Sequence, residues 1–479
     1  RASLVLVAED ASPSLGGTLV GLMRPIPSLL AALFLVACGP TAQVVTSPTA
    51  PPADTSLPTF GPTPASSPTP LASRTPIGLG TPTPISLSTP TPIGPAPTSQ
   101  PTPGTPGTPF GPFARLASFP TEGAIEVTDV AVTPAGFVAV GFGGLGGAAS
   151  FYSVRQGIVW TSVDGSNWIE SIDPSLVNVE PISVVSRGSD FFMAGLISAC
   201  SVLDDSCTDV PQAGNGIWQS TNGGPWQLLA QNADMQNGLV DDMFLAGDRL
   251  VVIGGSGDEE QATVWMSQDG VSWTSTTDLA GMDSVDSMAV GPAGFSAFGT
   301  IYDEAAFDVV LVAATSNDGA HFTYAGAPQL LGTGMDDLTA GPQGMAGVGY
   351  RLSQLFDQSG AALHSTDGVN WTESTNSDGT FANSALQTVH ALPAGGYFAV
   401  GYTQRNDEFG SLDGAVWFSA DGSDWVLIGR LDAGFSFLDA SALGTTGAVV
   451  FASEQVDLPD DDVGSVIHAW FAPLASIHP

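Results

Sequence analysis

A unit of about 50 residues recurs from Phe113 to the C-terminal end of this chain, and a repeat of that period restricts the fold more than any other feature of the sequence. One phrase appears as VWTSVDGSNW, IWQSTNGGPW, VWMSQDGVSW, AATSNDGAHF, ALHSTDGVNW and VWFSADGSDW; its serines, Ser162, Ser220, Ser267, Ser316, Ser365 and Ser419, lie 58, 47, 49, 49 and 54 residues apart. A second phrase alternates with it. It ends at Gly141, Gly195, Gly254, Gly299, Gly349 and Gly401, and at Ala452 in the last copy, which makes seven units.

Each unit reads as four short strands. An apolar run such as VTDVAV meets a Pro-Ala-Gly turn and GFVAVG returns; a variable loop follows, then AVW, the Ser-x-Asp-Gly turn and a strand carrying Trp. β-Branched and aromatic runs bounded by Gly, Pro, Asn and Asp are strand and turn signals. A lone four-stranded sheet with apolar residues on both faces is insoluble, but seven of them packed face to face around an axis bury both faces. The expected fold is therefore all-β: a seven-bladed β-propeller of four-stranded blades over residues 113–475. The seventh unit ends at VIHAWFAP without its last strand, and the segment from Phe113, FARLASFPTEGAIEVTDVAV, matches WVLIGRLDAGFSFLDASAL in pattern. The N-terminal strand should complete the last blade and leave no open sheet edge.

The phrase Ser-x-Asp-Gly-x-x-Trp resembles the Asp box of sialidases and other proteins with BNR repeats. In that family the boxes are structural and peripheral, which implies turn-fastening roles for Asp164, Asn222, Asp269, Asp318, Asp367 and Asp421. The residue chemistry agrees: Asp accepts backbone N–H bonds within its turn, Gly tolerates positive φ, Ser adds an acceptor and Trp packs on neighbouring strands. Asn222 is expected to keep the turn chemistry without the charge, and Phe322 stands in place of Trp. The phrase lacks one residue between Asp and Gly relative to the family's box. The Phe-Arg-Ile-Pro motif of sialidases does not occur after Phe113, and the arginines beyond it match no triad context, so no catalytic residue carries over. Other catalytic motifs are missing too: there is no His-Glu-x-x-His, no Gly-x-Ser-x-Gly, and the five histidines lack ligand spacing.

The first hundred residues differ in kind. Residues 1–22 contain no Met and read as an upstream extension. From Met23 the sequence MRPIPSLLAALFLVACGP holds an apolar run from Leu29 to Ala37, too short to span a bilayer and suited to an export signal. Its Leu35-Val36-Ala37-Cys38 ending resembles the lipobox of bacterial lipoproteins, which implies acylation of Cys38, membrane anchoring and an extracytoplasmic location in the cell envelope; an ordinary secretory signal with an incidental cysteine is the other reading. Residues 39–112 repeat Thr-Pro pairs and lack the apolar periodicity to bury a core, so a disordered tether is expected. Cys200 and Cys207 remain as a pair for a disulfide.

Charge limits the partners. No lysine occurs, the segment up to Pro112 is neutral, and the net charge of -37 falls on the remainder. Nucleic acids are excluded as partners, because binding them relies on Lys and Arg displacing counterions. Cations and cationic partners fit. A monomer is expected.

The variable loops share one end of the disc, opposite the Asp boxes, and variable loops on a rigid scaffold concentrate binding residues. They hold Tyr152, Arg155, Asp204, Asp205, Asp258, Glu259, Glu260, Tyr302, Tyr350, Arg351 and Tyr402. Counting back seven or eight places from the turn that opens the second phrase gives an acid in five units: Asp129, Asp241, Asp286, Asp337 and Asp439. Two readings stand for these innermost-strand acids: a carboxylate ring at the channel mouth for a cation such as Ca²⁺, or caps on the blade-crossing turns. Three function classes follow. They are an envelope-anchored binding or scaffold module for a protein or glycan, a glycoside hydrolase or lyase resembling sialidases in architecture, and an assembly factor for a membrane complex, as some BNR-repeat lipoproteins are.

Overall fold

The computed structural model describes residues 109–474 apart from 118, 121–123, 145–154, 199–212, 230, 258–260, 304–307, 329, 354–356, 405–411, 436 and 458–462. The chain divides into two units, Arg1–Thr105 and Pro106–Pro479, and all described residues belong to the second. Among them, no helix is long and apolar enough to cross a membrane.

The second unit is a seven-bladed β-propeller. Its seven sheets each contain four antiparallel strands in up-and-down order. Blade 1 consists of Ala124–Thr133, Gly136–Gly144, Arg155–Ser162 and Ile169–Val177, and the first strands of blades 2 to 7 are Val179–Arg187, Leu239–Ala246, Ser284–Gly291, Thr333–Gly341, Ser384–Ala391 and Phe437–Leu443. First strands of neighbouring blades touch one another, which places them innermost around the axis.

The alternating apolar residues of each sheet feed the seams between blades. Val138, Val140 and Val159 of blade 1 pack on Val184, Phe191 and Met193 of blade 2, while the other face of blade 1, through Val127, Phe137 and Trp160, meets Val449, Phe451 and Ala469 of blade 7. Third-strand tryptophans Trp160, Trp218, Trp265 and Trp417 are wholly buried in these seams. Burying both faces of every sheet is what makes the closed ring the soluble arrangement.

Closure follows the sequence expectation. Ala114–Arg115 pairs antiparallel with Val463–Pro473 as the fourth strand of blade 7. The pairing continues on either side, with Phe110 bridging Leu474 and Leu116 N–H donating to Ala469 O at 2.8 Å. Phe110 is buried and lies edge-on to Phe398 of blade 6, ring centroids 4.9 Å apart.

Candidate functional site

The first strand of every blade carries an extra residue at a matching point of its ladder, and blade 1 has a second one at Ile125. In blade 1 Val127 pairs with Gly141 and Asp129 with Val140, so Thr128 is extra. The same shift makes bulge residues of Ile182, Asp241, Asp286, Asp336, Gln387 and Asp439. The residues that follow them form a second ring: Asp129, Ser183, Asp242, Ser287, Asp337, Thr388 and Ala440. A bulge bends and twists its strand, and here it presses backbone against the partner strand. A Cβ at Gly141, Gly254, Gly299, Gly349 or Gly401 would lie 2.0 to 2.1 Å from a carbonyl oxygen of the first strand. In these five blades the bulge leaves room only for glycine, whereas in blade 2 the carbonyl lies 3.0 Å from a Cβ built at Gly195 and in blade 7 the same position holds Ala452.

The post-bulge acids clip blades together. Asp129 Oδ1 accepts from the Val130 amide at 2.7 Å, and Oδ2 reaches into blade 2 to accept from the Val184 amide at 2.7 Å. Asp337 does the same between blades 5 and 6, accepting from Leu338 N–H and Val389 N–H, each at 2.7 Å. An innermost strand has no partner on its axial side, so these carboxylates satisfy amides that would otherwise be unpaired.

Ser183 joins two such acids. Its Oγ is 2.8 Å from Asp129 Oδ2, 2.8 Å from Asp242 Oδ1 and 3.1 Å from Met243 O. A hydroxyl has one hydrogen to donate. With both acids ionised, one of the two close carboxylate contacts would contain no hydrogen, so the geometry calls for a proton on one carboxyl, which then donates to Ser183. Electrostatics lead to the same result. Burial, then the neighbouring Asp129 charge, push Asp242 up to about 7, and burial raises Asp129 against its three hydrogen bonds.

Blades 4 and 5 extend the acidic lining. Burial raises Asp286 to about 6 although Ser284 Oγ donates to its Oδ1 at 2.7 Å. Burial, reinforced by the charges of Asp286 and Asp337, raises Asp336, and burial raises Asp337 to about 6. No cationic group figures among the influences on any of these five acids. Three oxygens of this sector, Ser287 Oγ, Asp336 Oδ2 and Gln387 Oε1, are buried without a hydrogen-bond partner. At blades 6 and 7 the post-bulge position carries no acid, and the groups nearby are uncharged: Thr388 Oγ1 and Ser441 Oγ are 2.5 Å apart, His390 Nε2 lies 2.8 Å from the same Ser441, and burial lowers His390 to about 4.

The five acids expected at the channel thus divide between two positions. Asp129 and Asp337 stand after the bulge, whereas Asp241, Asp286 and Asp439 are bulge residues, and Asp439 is held within its own blade by Ser453 Oγ at 2.8 Å. Asp242 and Asp336, each the neighbour of a chosen acid, and the hydroxyls Ser183 and Ser287 were missed. For Asp242, Ser183 and Ser287 the signal was a constant count, since the post-bulge residue stands twelve places before the repeated glycine in blades 1 to 5; Asp336, a bulge residue, falls one place earlier. Among the described residues no three His, Cys, Asp or Glu side chains converge as a ready-made metal centre.

At the opposite end of the disc the Ser-x-Asp-Gly turns close on themselves. Asp367 Oδ1 accepts from Val369 and Asn370 amides at 2.9 and 2.8 Å, and Ser365 Oγ accepts from Gly368 N–H at 2.8 Å. The same bonds recur around Asp164, Asp269 and Asp318, and the Ser423 amide donates to Asp421 Oδ1. These backbone donors hold the Asp164, Asp318 and Asp367 carboxyls well below the usual range. Asn222 departs from the expected chemistry: it takes a left-handed φ of 55°, and Ser220 Oγ instead donates to Gly224 O at 2.6 Å. Asn is among the few residues that tolerate that conformation, and the two glycines after it let the turn take another form.

A shallow cleft of about 520 Å³ on the flank of blade 4, lined by Ile301, Tyr302, Val310, Val312 and Tyr324, lies apart from these acids. Cys38, Cys200 and Cys207, the export signal, the tether and most of the variable loops lie outside the described residues.

No family model matches the chain, and no curated protein matches it. Solved structures show a distant likeness. A protein of unknown function from Dyadobacter fermentans is 11% identical with TM-score 0.42, covering 77% of this chain and 100% of its own. The subtype N11 neuraminidase-like protein of A/flat-faced bat/Peru/033/2010 (H18N11) is 8% identical with TM-score 0.37, covering 77% and 95%. The xylan β-1,4-xylosidase of Bacillus halodurans is 9% identical with TM-score 0.29, covering 74% and 96%. At these levels the likeness adds nothing to the fold already described.

Proposed function

We propose that this propeller is a binding or scaffold module, held outside the cytoplasm by a lipid on Cys38, which engages a partner of basic surface through the loop end of its disc. The observation that carries this reading is the chemical difference between the two ends. The turns at one end use their own donors and acceptors up. Toward the other, the innermost strands start and the variable loops concentrate acid, including Asp258, Glu259 and Glu260, on a unit that carries the net charge of -37. An acidic face on a rigid ring attracts cationic surfaces and speeds their encounter. A glycan ligand, hydrolysis of a glycoside and a role in assembling a membrane complex are the competing readings.

The test is capture of envelope proteins on the immobilised propeller, followed by rebinding of each purified candidate. The reading expects an affinity that falls with added salt and drops at least tenfold when Asp258, Glu259 and Glu260 are changed to Asn, Gln and Gln. Rebinding indifferent to salt and to those changes would overturn it, and turnover of glycoside substrates would replace it with the enzyme reading.

A further inference from the structure

We propose that the channel sector formed by blades 4, 5 and 6 binds a partly hydrated divalent cation of the hard, oxygen-preferring kind, with Asp336 Oδ2, Ser287 Oγ and Gln387 Oε1 as its protein ligands and Asp286 beside them. Asp336 and Gln387 are the bulge residues of blades 5 and 6 and Ser287 directly follows the bulge of blade 4, so three buried oxygens without a partner come from the bulge region of three consecutive blades. Buried polar atoms in native proteins are nearly always satisfied, and a cluster of exceptions points to a bound species. Ser183 sharpens the contrast. It occupies the same ring position as Ser287 two blades earlier, and its hydroxyl is filled by the acids on both sides.

The chemistry of the unpartnered atoms selects the ligand. A carboxylate oxygen and an amide carbonyl oxygen only accept, so their partner must be electron-poor. Water meets that need but does nothing against the repulsion that Asp286 and Asp337 exert on Asp336. A divalent cation does both. Carboxylate, amide carbonyl, hydroxyl and water are the oxygen ligands that Ca²⁺ takes in its irregular six- to eight-fold shells, while Mg²⁺ requires a near-ideal octahedron. Because no three carboxylates converge here, the remaining positions go to water. This inference goes beyond the partner reading, since an ion in the channel and a protein on the loops are measured separately.

The full chain, stripped with chelator, is titrated with CaCl₂ and with MgCl₂ at fixed ionic strength, following heat and melting temperature. The proposal expects saturable one-site binding, tighter for Ca²⁺, with a melting rise of roughly 4 °C at about 100-fold excess over Kd. Asp336→Asn should weaken binding at least tenfold without lowering the metal-free melting temperature, since it removes a buried charge. Ser287→Ala, a small neutral change, provides a second variant should Asp336→Asn not fold, and should weaken binding several-fold. Asp439→Asn should leave binding unchanged. No heat, a melting rise that NaCl reproduces at matched ionic strength, or parental affinity in both Asp336→Asn and Ser287→Ala would overturn the proposal.

Discussion

At the scale of single residues, Gly349 shows how a repeated letter can record the geometry of a neighbour. A methyl group there would lie 2.1 Å from Gly334 O, an oxygen fixed by the bulge at Asp336. The three nearest atoms are all backbone of Gly334 and Met335, with no flexible side chain to yield, so Gly349→Ala should cost roughly 3 kcal/mol, the upper part of the range for overpacking a filled interior. Chemical denaturation of parent and variant measures it, and a loss below about 1 kcal/mol would show that the bulge relaxes easily. The glycine was legible in the sequence as a recurring phrase, but its cause was not, because a bulge exists only relative to the strand beside it. The same limit explains the mixed choice of acids. Asp241 and Asp242, or Asp336 and Asp337, look alike as adjacent letters, and only the pairing register decides which is extra and which reaches the next blade. For Ser183 the constant count to Gly195 marked the position but not its role, since its contacts are with acids 54 and 59 residues away.

At the scale of elements, the segment from Phe110 to Leu116 decides whether the ring is closed or merely bent. It covers the outer edge of Val463–Pro473, which would otherwise offer a row of unpaired backbone groups to other chains. Its register is fixed by more than Ala114 and Arg115: Gly111 N–H donates to Pro473 O at 2.8 Å, Arg115 meets the His468 ring, and Phe110 sits against Phe398 on the adjoining blade. The pairing partner was readable because the seventh unit lacks a strand and the segment from Phe113 has that strand's pattern. The contact with blade 6 was not, because nothing in the local pattern at Phe110 distinguishes it from the Thr-Pro-rich sequence before it. Phe110→Ala removes a side chain only 4% exposed and should cost about 3 kcal/mol, as large-to-small changes at buried Phe do. Removing residues up to Leu116 should do more, exposing the edge and producing association that light scattering detects. A truncated chain that stays monomeric with the parental melting temperature would remove the clasp from the account of the fold.

For the whole molecule, the channel acids set how stability depends on pH. Asp242, Asp286 and Asp337 have folded-state values of about 7, 6 and 6 against an ordinary 3.8, and Asp129 and Asp336 move the same way. A carboxyl raised by folding binds its proton more tightly in the native state, so its contribution is whole below pH 3.8 and is lost as pH climbs through the folded value. The turn acids Asp164, Asp318 and Asp367 shift oppositely, and their contribution is complete above pH 3.8 and disappears only in stronger acid. His390, held neutral, opposes the channel acids between about 4 and 6.5, but it is one group against five. Stability should therefore peak near pH 4 to 5 and fall toward pH 8. The overall charge of -37 pushes in the same direction by self-repulsion, and salt separates the two causes: repulsion among surface groups is screened over about 10 Å at 0.1 M, whereas the Asp129–Ser183–Asp242 contacts are direct and buried. Melting temperatures measured from pH 4 to pH 8 in 0.5 M NaCl should still decline, and Asp242→Asn, which fixes a hydrogen donor where the shared proton sits, should flatten the decline between pH 6 and 8. A profile that is level or rising in high salt, or one that Asp242→Asn leaves unaltered, would mean that both carboxylates flanking Ser183 are ionised and that something other than a proton holds the first three blades together at the axis.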